Sequence, residues 1–156
     1  MEKQPFTFDD TAYNPGRVRD FMTVEPIVVS PYTPVDEAHA LMQQHHIGHL
    51  PVLEDGRLLG MLSDRDVRLV LPSPATSLAV YEMTYLLTRL RVGEIMTYFP
   101  VAIGPERSMA AAVTRMLAYK VDALPVVEND KVVGMLTRTN LLRAFLASQA
   151  ALSVAA

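Results

Sequence analysis

An internal duplication without gaps is the feature of this sequence that most constrains its fold. Gly60 corresponds to Gly134, which lies 74 positions later. Between residues 17 and 71, 15 of the 55 positions carry the same residue as the position 74 further on. Two copies, rather than a run of short repeats, predict a pair of similar lobes related by a pseudo-twofold axis. With 156 residues, 50% of them hydrophobic, the chain can bury a core as one domain or as two half-size repeats.

Each copy predicts the same order of elements, namely strand, helix, strand, strand, helix. The first copy predicts a strand at 27–29, a helix that Thr33 caps and that ends near Gly48, a hairpin of strands 50–53 and 58–62, and a helix at 64–71. The second copy predicts a strand at 101–103, a helix at 108–120, strands at 124–127 and 132–136, and a helix from Arg138. This alternation predicts an α+β fold in which helices cover three-stranded sheets.

The duplication also divides the chain into segments. We expect an N-terminal arm at 1–16, a first repeat at 17–71, a linker at 72–91, a second repeat at 92–147 and an Ala-rich tail at 148–156. The linker begins with a proline-rich turn and is expected to continue as a helix at 78–90. The tail either extends the last helix or frays.

Composition excludes several classes of function. Lys and Arg number 14 against 17 Asp and Glu, and the formal net charge is −3, so a duplex nucleic-acid partner is disfavoured. There is no cysteine, which excludes disulfides, thiolate zinc sites and cysteine nucleophiles. Acidic residues near the N-terminus argue against a signal peptide, and no stretch is long and apolar enough to span a bilayer. We therefore expect a cytoplasmic protein without a membrane segment.

A hydroxyl motif ends the second hairpin strand of each copy: Gly60-x-x-Ser63-x-x-Asp66, and then Gly134-x-x-Thr137-x-x-Asn140. A strand that ends in a hydroxyl residue and opens a helix offers an anion free N–H groups and a favourable dipole. The Asp or Asn three residues on can hydrogen-bond the vicinal hydroxyls of a sugar. The same side chains could instead cap the helix. Because the motif is duplicated, we predict that the chain binds a nucleotide without transforming it.

Metal binding and catalysis have weaker support in the sequence. Four histidines, at 39, 45, 46 and 49, have no strong metal ligand at the corresponding positions of the second copy, so we expect no metal site. The close carboxylate pair Asp64 and Asp66 flanks a helix start, and no nucleophile has an adjacent base. We therefore predict no catalytic residues. His49 is more consistent with a residue that lines the pocket of a nucleobase.

The motifs together resemble a known family. The duplicated unit, the Met-Thr-x-x-Pro motif, the Leu-Pro-Val strand and the Gly-x-x-Ser/Thr-x-x-Asp/Asn ending are similar to a tandem pair of cystathionine-β-synthase (CBS) domains, a Bateman module, over roughly residues 17–147. The linker at 73–77 and the helix after it resemble stand-alone bacterial CBS-pair proteins that are labelled acetoin-utilisation regulators.

The resemblance implies two adenosine-nucleotide clefts, each built from both copies. In one cleft, Ser63 and Asp66 would hold phosphate and ribose, and the adenine would pack among Pro100, Val101, Ala102, Val121, Asp122 and Ala123. In the other, Thr137 and Asn140 would take those roles, and the base pocket would be Thr23, Pro26, Ile27, Val28, Ile47, Gly48 and His49. Four cations either contact phosphate or are solvated surface residues: Arg65, Arg68, Lys120 and Arg138.

The resemblance further implies a regulatory module. It would bind AMP, ADP, ATP or S-adenosylmethionine as a regulatory ligand, need no catalytic cofactor, form a homodimer and control a partner protein that the sequence does not name. The alternative is a ligand-free dimerisation or adaptor module. The two sites should differ, because Asn140 replaces the carboxylate of Asp66 and Arg138 replaces Asp64.

Overall fold

The computed structural model describes residues 15–71 and 80–155, which fall into two compact units. Unit A contains the described residues up to Val24, Val101–Glu128 and those from Val133 onward. Unit B contains the described residues of Glu25–Pro100 together with Asn129–Val132. Most of the predicted N-terminal arm and the proline-rich start of the linker lie outside the described residues.

The elements follow the chain in this order: α1 (Val18–Phe21), β1 (Thr23–Val24), α2 (Val35–His45), β2 (His49–Glu54), β3 (Arg57–Ser63), α3 (Asp64–Val70), α4 (Val80–Arg89), α5 (Val92–Ile95), β4 (Thr97–Tyr98), α6 (Met109–Tyr119), β5 (Ala123–Glu128), β6 (Lys131–Thr137) and α7 (Arg138–Ala155). They form two three-stranded sheets, ordered β1-β6-β5 and β2-β3-β4. The predicted α+β fold is therefore confirmed, and the tail continues the last helix to Ala155. No helix in the two described segments is long and apolar enough to cross a membrane.

Each sheet takes its short first strand from the other sequence repeat. In unit A, β1 pairs antiparallel with β6, and Thr23 lies opposite Met135. In unit B, β4 pairs antiparallel with β3, and Thr97 lies opposite Met61. The spatial units therefore do not coincide with the repeats read along the sequence.

Close packing of these short strands explains one repeated glycine. A Cβ added to Gly60 would lie 2.5 Å from the sulfur of Met96 and 2.9 Å from the Thr97 carbonyl oxygen. At Gly134 the corresponding distances are 2.6 Å to the Met22 sulfur and 2.9 Å to the Thr23 oxygen. Only glycine lets the methionine and the neighbouring strand approach this closely, so the Gly and Met positions recur together.

The predicted strands at 27–29 and 101–103 are wrong, apart from one residue each. Val29 forms a single parallel bridge with Val52, and Ile103 forms one with Val126. Prolines at 26 and 31, repeated at 100 and 105, bracket each segment and have no N–H to extend a ladder. The paired strand of each segment lies earlier in the chain, at β1 and β4.

The bounds of the predicted helix at 33–48 also need correction. Pro34 is the N-cap of α2, and the Thr33 hydroxyl oxygen accepts from the Ser30 N–H at 3.1 Å instead. The helix ends at His45 because His46 adopts a left-handed conformation with φ of 52°. In the second repeat, the helix predicted at 108–120 begins at Met109, and Ser108 is its N-cap, with its oxygen 3.0 Å from the Ala111 nitrogen.

Each unit has its own apolar core. The core of unit B contains Val29, Val35, Ala38, Met42, Leu50, Val52, Leu62, Val67, Val92 and Met96. The core of unit A contains Val18, Ile103, Met109, Ala112, Met116, Leu124, Val126, Leu136 and Ala144. In both units a helix packs over the hairpin whose second strand ends in the hydroxyl motif.

Candidate functional site

The first hydroxyl motif lies in unit B, where β3 ends and α3 begins. The Ser63 hydroxyl oxygen accepts from the Asp66 N–H at 3.2 Å. In return, Asp66 Oδ2 accepts from the Ser63 N–H at 2.8 Å and from the Ser63 hydroxyl at 2.7 Å. This reciprocal capping box satisfies backbone donors that a helix start leaves without intrahelical partners. The sequence analysis gave two alternative roles for Asp66, helix capping and ligand binding. The structure shows the capping role.

The second hydroxyl motif lies in unit A, where β6 ends and α7 begins. Asn140 Oδ1 accepts from the Thr137 N–H and from the Thr137 hydroxyl, each at 2.8 Å. Asn140 is only 5% exposed. An amide oxygen has two lone pairs, so these two bonds use its acceptor capacity and leave the NH₂ group as a donor. A carboxylate at Asp66 still has its other oxygen with which to accept.

A backbone carbonyl holds the start of each of these helices. The Asp64 N–H donates to the Gly48 carbonyl at 2.9 Å, and the Arg138 N–H donates to the Asp122 carbonyl at 2.9 Å. His49 also lies opposite Ser63 in the β2–β3 ladder. Unit B therefore brings the predicted residues Gly48 and His49 beside its own hydroxyl motif, and unit A does the same with Asp122.

The cations predicted near phosphate differ in their surroundings. Arg68 forms an ion pair with Asp64, one turn earlier on α3, and His39 Nε2 lies 4.0 Å from the other oxygen of that carboxylate. Arg138 pairs with Asp122 at 3.4 Å. Arg65 and Lys120 are exposed, and Lys120 ends α6 in a left-handed conformation with φ of 54°. Because Arg68 and Arg138 each neutralise a neighbouring carboxylate, neither contributes a full unpaired charge.

The predicted base-pocket residues are distributed over both units. Unit B contains Pro26, Ile27, Val28, Ile47, Gly48, His49 and Pro100, and unit A contains Thr23, Val101, Ala102, Val121, Asp122 and Ala123. Within unit A, Thr23 pairs with Met135 and so shares a sheet with Thr137. The predicted grouping of Ser63 and Asp66 with residues 100–102 and 121–123, and of Thr137 and Asn140 with Thr23 and residues 26–28 and 47–49, stays a prediction.

The sequence analysis did not identify Arg115, which contacts a residue of the predicted nucleobase pocket. The guanidinium of Arg115, on α6, donates a hydrogen bond to the carbonyl oxygen of Ala102. The corresponding residue of the first repeat is Leu41. This difference between otherwise matched helices was the available signal, but the periodicity of α6 places Arg115 on an exposed face, where arginine is common.

In the described segments, no three His, Asp or Glu side chains converge as a metal site would require. His39 Nε2 lies 3.2 Å from the Gln43 side-chain nitrogen. His46 ends α2, and His49 belongs to β2. His39 and His45 lie on α2, His46 directly follows it, and His49 begins β2.

The fold and the paired motifs define an internally duplicated α+β module with a matching hydroxyl motif in each half. A model of the CBS domain matches the chain twice, at residues 18–73 and 92–147. The chain belongs to the CBS domain family, and the predicted tandem pair is confirmed.

The relatives include stand-alone proteins of similar length. The CBS domain-containing protein YhcV of Bacillus subtilis is 32% identical over 124 residues, which cover 80% of this chain and 81% of that protein. Several other relatives are longer, and the chain spans 64% or less of their length.

Solved structures are also similar over most of the chain, and two of them illustrate the likeness. One, described as the acetoin utilization protein AcuB of Vibrio cholerae, has a TM-score of 0.71 at 23% identity and covers 90% of this chain and 96% of its own. This likeness concerns the fold. The other is Arabidopsis thaliana CBSX2 in complex with AMP, with a TM-score of 0.73 at 30% identity, covering 86% of this chain and 99% of its own.

Proposed function

We propose that this protein is a regulatory module that binds adenosine nucleotides through its two hydroxyl motifs. The observation that carries the proposal is the repeated geometry at Ser63–Asp66 and Thr137–Asn140. Each motif ends a strand and opens a helix. In each, a side-chain oxygen of the last residue, Asp66 or Asn140, lies within 2.8 Å of the hydroxyl oxygen of Ser63 or Thr137. CBSX2, which is similar over 86% of this chain, has been solved in complex with AMP. Nucleotide binding is therefore the function that both the geometry and the family favour.

The capping role of Asp66 is compatible with a ligand role. Its bonds to Ser63 use Oδ2, and a carboxylate offers about four acceptor positions over its two oxygens. The other oxygen can accept from ribose hydroxyls while the cap stays intact. The cap also holds the carboxylate in one orientation before the ligand arrives, which lowers the ordering cost of binding.

The two sites should bind with different strength. Asn140 Oδ1 already accepts two hydrogen bonds, so its amide can only donate to a ribose oxygen. A hydrogen bond to an ionised carboxylate is stronger than one between neutral groups. In this proposal the Ser63 motif is the tighter ribose site, and adenine is read by the backbone of two lead-in segments at residues 26–28 and 100–102.

The proposal includes self-association through unit A. Between α6 and α7 lies a groove of about 350 Å³, lined by Met109, Ala110, Val113, Leu141, Ala144 and Phe145. Phe145 is 52% exposed and Leu146 is 66% exposed, and Leu142 and Leu152 on the same helix are also exposed. A second copy that buried this surface would remove apolar side chains from water, as twofold dimers commonly do.

No catalytic step belongs to this proposal. Asp64 is paired with Arg68, and the bond from the Ser63 hydroxyl to Asp66 is part of the cap of α3, so the proposal gives both carboxylates a structural or ligand-binding role. Regulation would act through ligand-dependent changes of conformation or assembly, and on a partner protein that recognises one of those states.

A ligand-free adaptor is the second candidate, and one observation favours it. The capping box alone accounts for the positions of Ser63 and Asp66, without any nucleotide. The two candidates differ in thermal stability, because a ligand that binds the folded state must raise the melting temperature.

Isothermal titration calorimetry with AMP, ADP, ATP and S-adenosylmethionine tests the proposal, with thermal melts as a second readout. We expect binding of at least one adenosine ligand and a matching rise in melting temperature. If none of the four binds at millimolar concentration, nucleotide binding is refuted and the adaptor function stands.

A further inference from the structure

In unit A, an arginine lies between two glutamates at the surface. The guanidinium of Arg19 forms an ion pair with Glu106, and its Nη2 lies 3.7 Å from Glu128 Oε1. The backbone N–H of Arg19 donates to the Pro105 carbonyl at 3.0 Å, which fixes where this side chain leaves the backbone. The carboxylate of Glu128, at the end of β5, therefore has a cation of its own unit beside it.

The matching backbone of unit B carries a glycine instead. Gly93 corresponds to Arg19, and its N–H donates to the Pro31 carbonyl at 2.8 Å, as its counterpart does to a proline carbonyl in unit A. A Cβ at Gly93 would lie 3.2 Å from the Pro31 Cβ and 3.5 Å from the Tyr98 hydroxyl oxygen. Close packing therefore accounts for the glycine, and it leaves this position of unit B without a cation.

The carboxylate that corresponds to Glu128 keeps its place in unit B. Glu54 ends β2 and is half-buried. Tyr32 replaces the second glutamate, and its hydroxyl donates to Glu54 Oε1 at 2.7 Å. In the part of the chain that the structure describes, no cation forms an ion pair with Glu54, including Arg57, which lies opposite it in the β2–β3 ladder, and Arg91, the N-cap of α5. This carboxylate therefore has a hydrogen bond from Tyr32 but no counter-ion among the described residues.

Exposed aromatic residues lie beside these positions. Tyr98 is 50% exposed, and its hydroxyl donates to the Gly93 carbonyl at 3.0 Å. Phe99 is 83% exposed, and its N–H donates to the Leu59 carbonyl at 3.0 Å. A groove of about 610 Å³ is lined by Leu59 together with Glu54, Asp55, Arg57 and Leu58. A guanidinium can bond a carboxylate and stack on an aromatic ring at the same time, so this surface suits arginine.

We propose that unit B binds an arginine side chain of a partner protein at Glu54, in the place that Arg19 takes beside Glu128 in unit A. The guanidinium donates to the Glu54 carboxylate oxygen that does not accept from Tyr32, and it lies against an exposed tyrosine ring. The partner protein supplies the cation that unit A supplies from its own chain. Lysine fits this surface less well, because an ammonium group has no flat face to stack on a ring.

The arginine site is distinct from the hydroxyl motif of the same unit. Glu54 lies opposite Arg57 at the turn of the β2–β3 hairpin, and Ser63 lies opposite His49 at the other end. At about 3.3 Å per residue, β3 separates the two ends by about 20 Å. Arginine binding at Glu54 therefore goes beyond the proposed function and does not depend on nucleotide binding.

Nuclear magnetic resonance titration of the full chain tests the site with a blocked glycine–arginine–glycine peptide. The same peptide with citrulline, the neutral isostere of arginine, shows whether the charge matters. We expect the arginine peptide to give saturable shifts of the backbone amide signals of Glu54, Asp55 and Phe99. The citrulline peptide should bind about fivefold more weakly, which is the effect of one exposed ion pair.

Three variants locate the binding on the protein. Glu54→Gln should reduce the affinity for the arginine peptide to that for the citrulline peptide, since it removes the charge and keeps the shape. Glu128→Gln is the matched control in unit A and should leave peptide binding unchanged. Gly93→Arg places an arginine at the position of Arg19 and should compete with the peptide. Circular dichroism melts check that the variants are folded, and Glu54→Gln decides alone if the tight packing at Gly93 prevents Gly93→Arg from folding.

Several results would overturn the arginine site. Equal affinity for the two peptides, or shifts that do not involve Glu54 and Phe99, would refute it. The same holds if Glu54→Gln binds the arginine peptide as tightly as the native chain does. If Glu128→Gln weakens binding as much as Glu54→Gln, the peptide responds to the overall negative charge of the protein, and no specific site exists at Glu54.

Discussion

Asp66 Oδ2 accepts hydrogen bonds from both the N–H and the hydroxyl of Ser63, at 2.8 and 2.7 Å. One carboxylate oxygen therefore closes the start of α3 and holds the carboxylate against the end of β3. In unit A the corresponding pair, Thr137 and Asn140, has the same geometry with a neutral amide. The chemistry of the two motifs differs although their backbone arrangement is the same.

Replacing the Asp66 carboxylate separates its two roles. Asp66→Ala should weaken adenosine-nucleotide binding roughly ten- to a hundredfold, because it removes a charged acceptor of ribose hydroxyls. It should also lower the free energy of unfolding by about 1 kcal/mol through loss of the cap. Calorimetry measures the first effect and urea denaturation the second.

Asp66→Asn is the matched control for that experiment, since it reproduces the side chain of Asn140. The amide oxygen can still accept from Ser63, so the cap should survive while the ribose contact weakens. Unchanged affinity in both variants would show that Asp66 is a capping residue alone.

The Gly60 position tests the close approach of β4. Gly60→Ala should lower the free energy of unfolding by about 1–3 kcal/mol, because the new Cβ would meet the Met96 sulfur and the Thr97 carbonyl oxygen. Gly48→Ala is the control, since a Cβ there would meet nothing within 4 Å. Met96→Ala should be less harmful in the Gly60→Ala background than alone, and additive effects in urea denaturation would contradict the packing argument.

The charge at Asp64 should tune the binding of phosphate. Asp64→Ala removes a carboxylate beside Ser63 and releases Arg68 from its ion pair. We expect ATP to bind several-fold more tightly relative to adenosine, with a gain that declines as salt is added. Asp122→Ala gives the matching measurement in the second motif, where it releases Arg138. A gain that is equal for adenosine and ATP would mean that Asp64 is not near the phosphates.

The apolar surface of α7 should carry self-association. Phe145→Asp places a charge in the groove between α6 and α7, so it should shift a dimer towards monomer in sedimentation velocity. Leu69→Asp is the control, because Leu69 is a comparably exposed apolar residue on α3 in unit B. If Leu69→Asp dissociates the protein and Phe145→Asp does not, the interface lies elsewhere.

Local sequence signals predicted the elements that depend on local chemistry. The Asp55-Gly56 turn predicted its hairpin, since both residues adopt positive φ, at 50° and 76°. Ser108 predicted the start of α6. Thr33 failed as a cap, since the same hydroxyl can close a turn with Ser30 instead. The Thr33 hydroxyl could either cap α2 or accept from the Ser30 N–H, and the sequence pattern does not distinguish these two hydrogen bonds.

The parts of the candidate site that escaped prediction depend on contacts distant in sequence. The two-residue strand β1 is too short for a periodic signal, and it is defined by its pairing with Met135 and Gly134. The bond from Arg115 to Ala102 depends on the reach of a long side chain across 13 residues. Neither feature leaves a pattern within its own stretch of chain.

The sequence by itself determined the duplication, the α+β class, the family and the two hydroxyl motifs, because identical residues at matched positions make the same local turns, caps and apolar faces. Only the tertiary structure decided that each sheet takes its first strand from the other repeat, and that Arg115 donates to the Ala102 carbonyl where the first repeat has Leu41. Strand pairing and side-chain reach are selected by the packing of residues far apart in the chain. Two repeats that share 15 of 55 residues can therefore differ in their hydrogen bonds at corresponding positions.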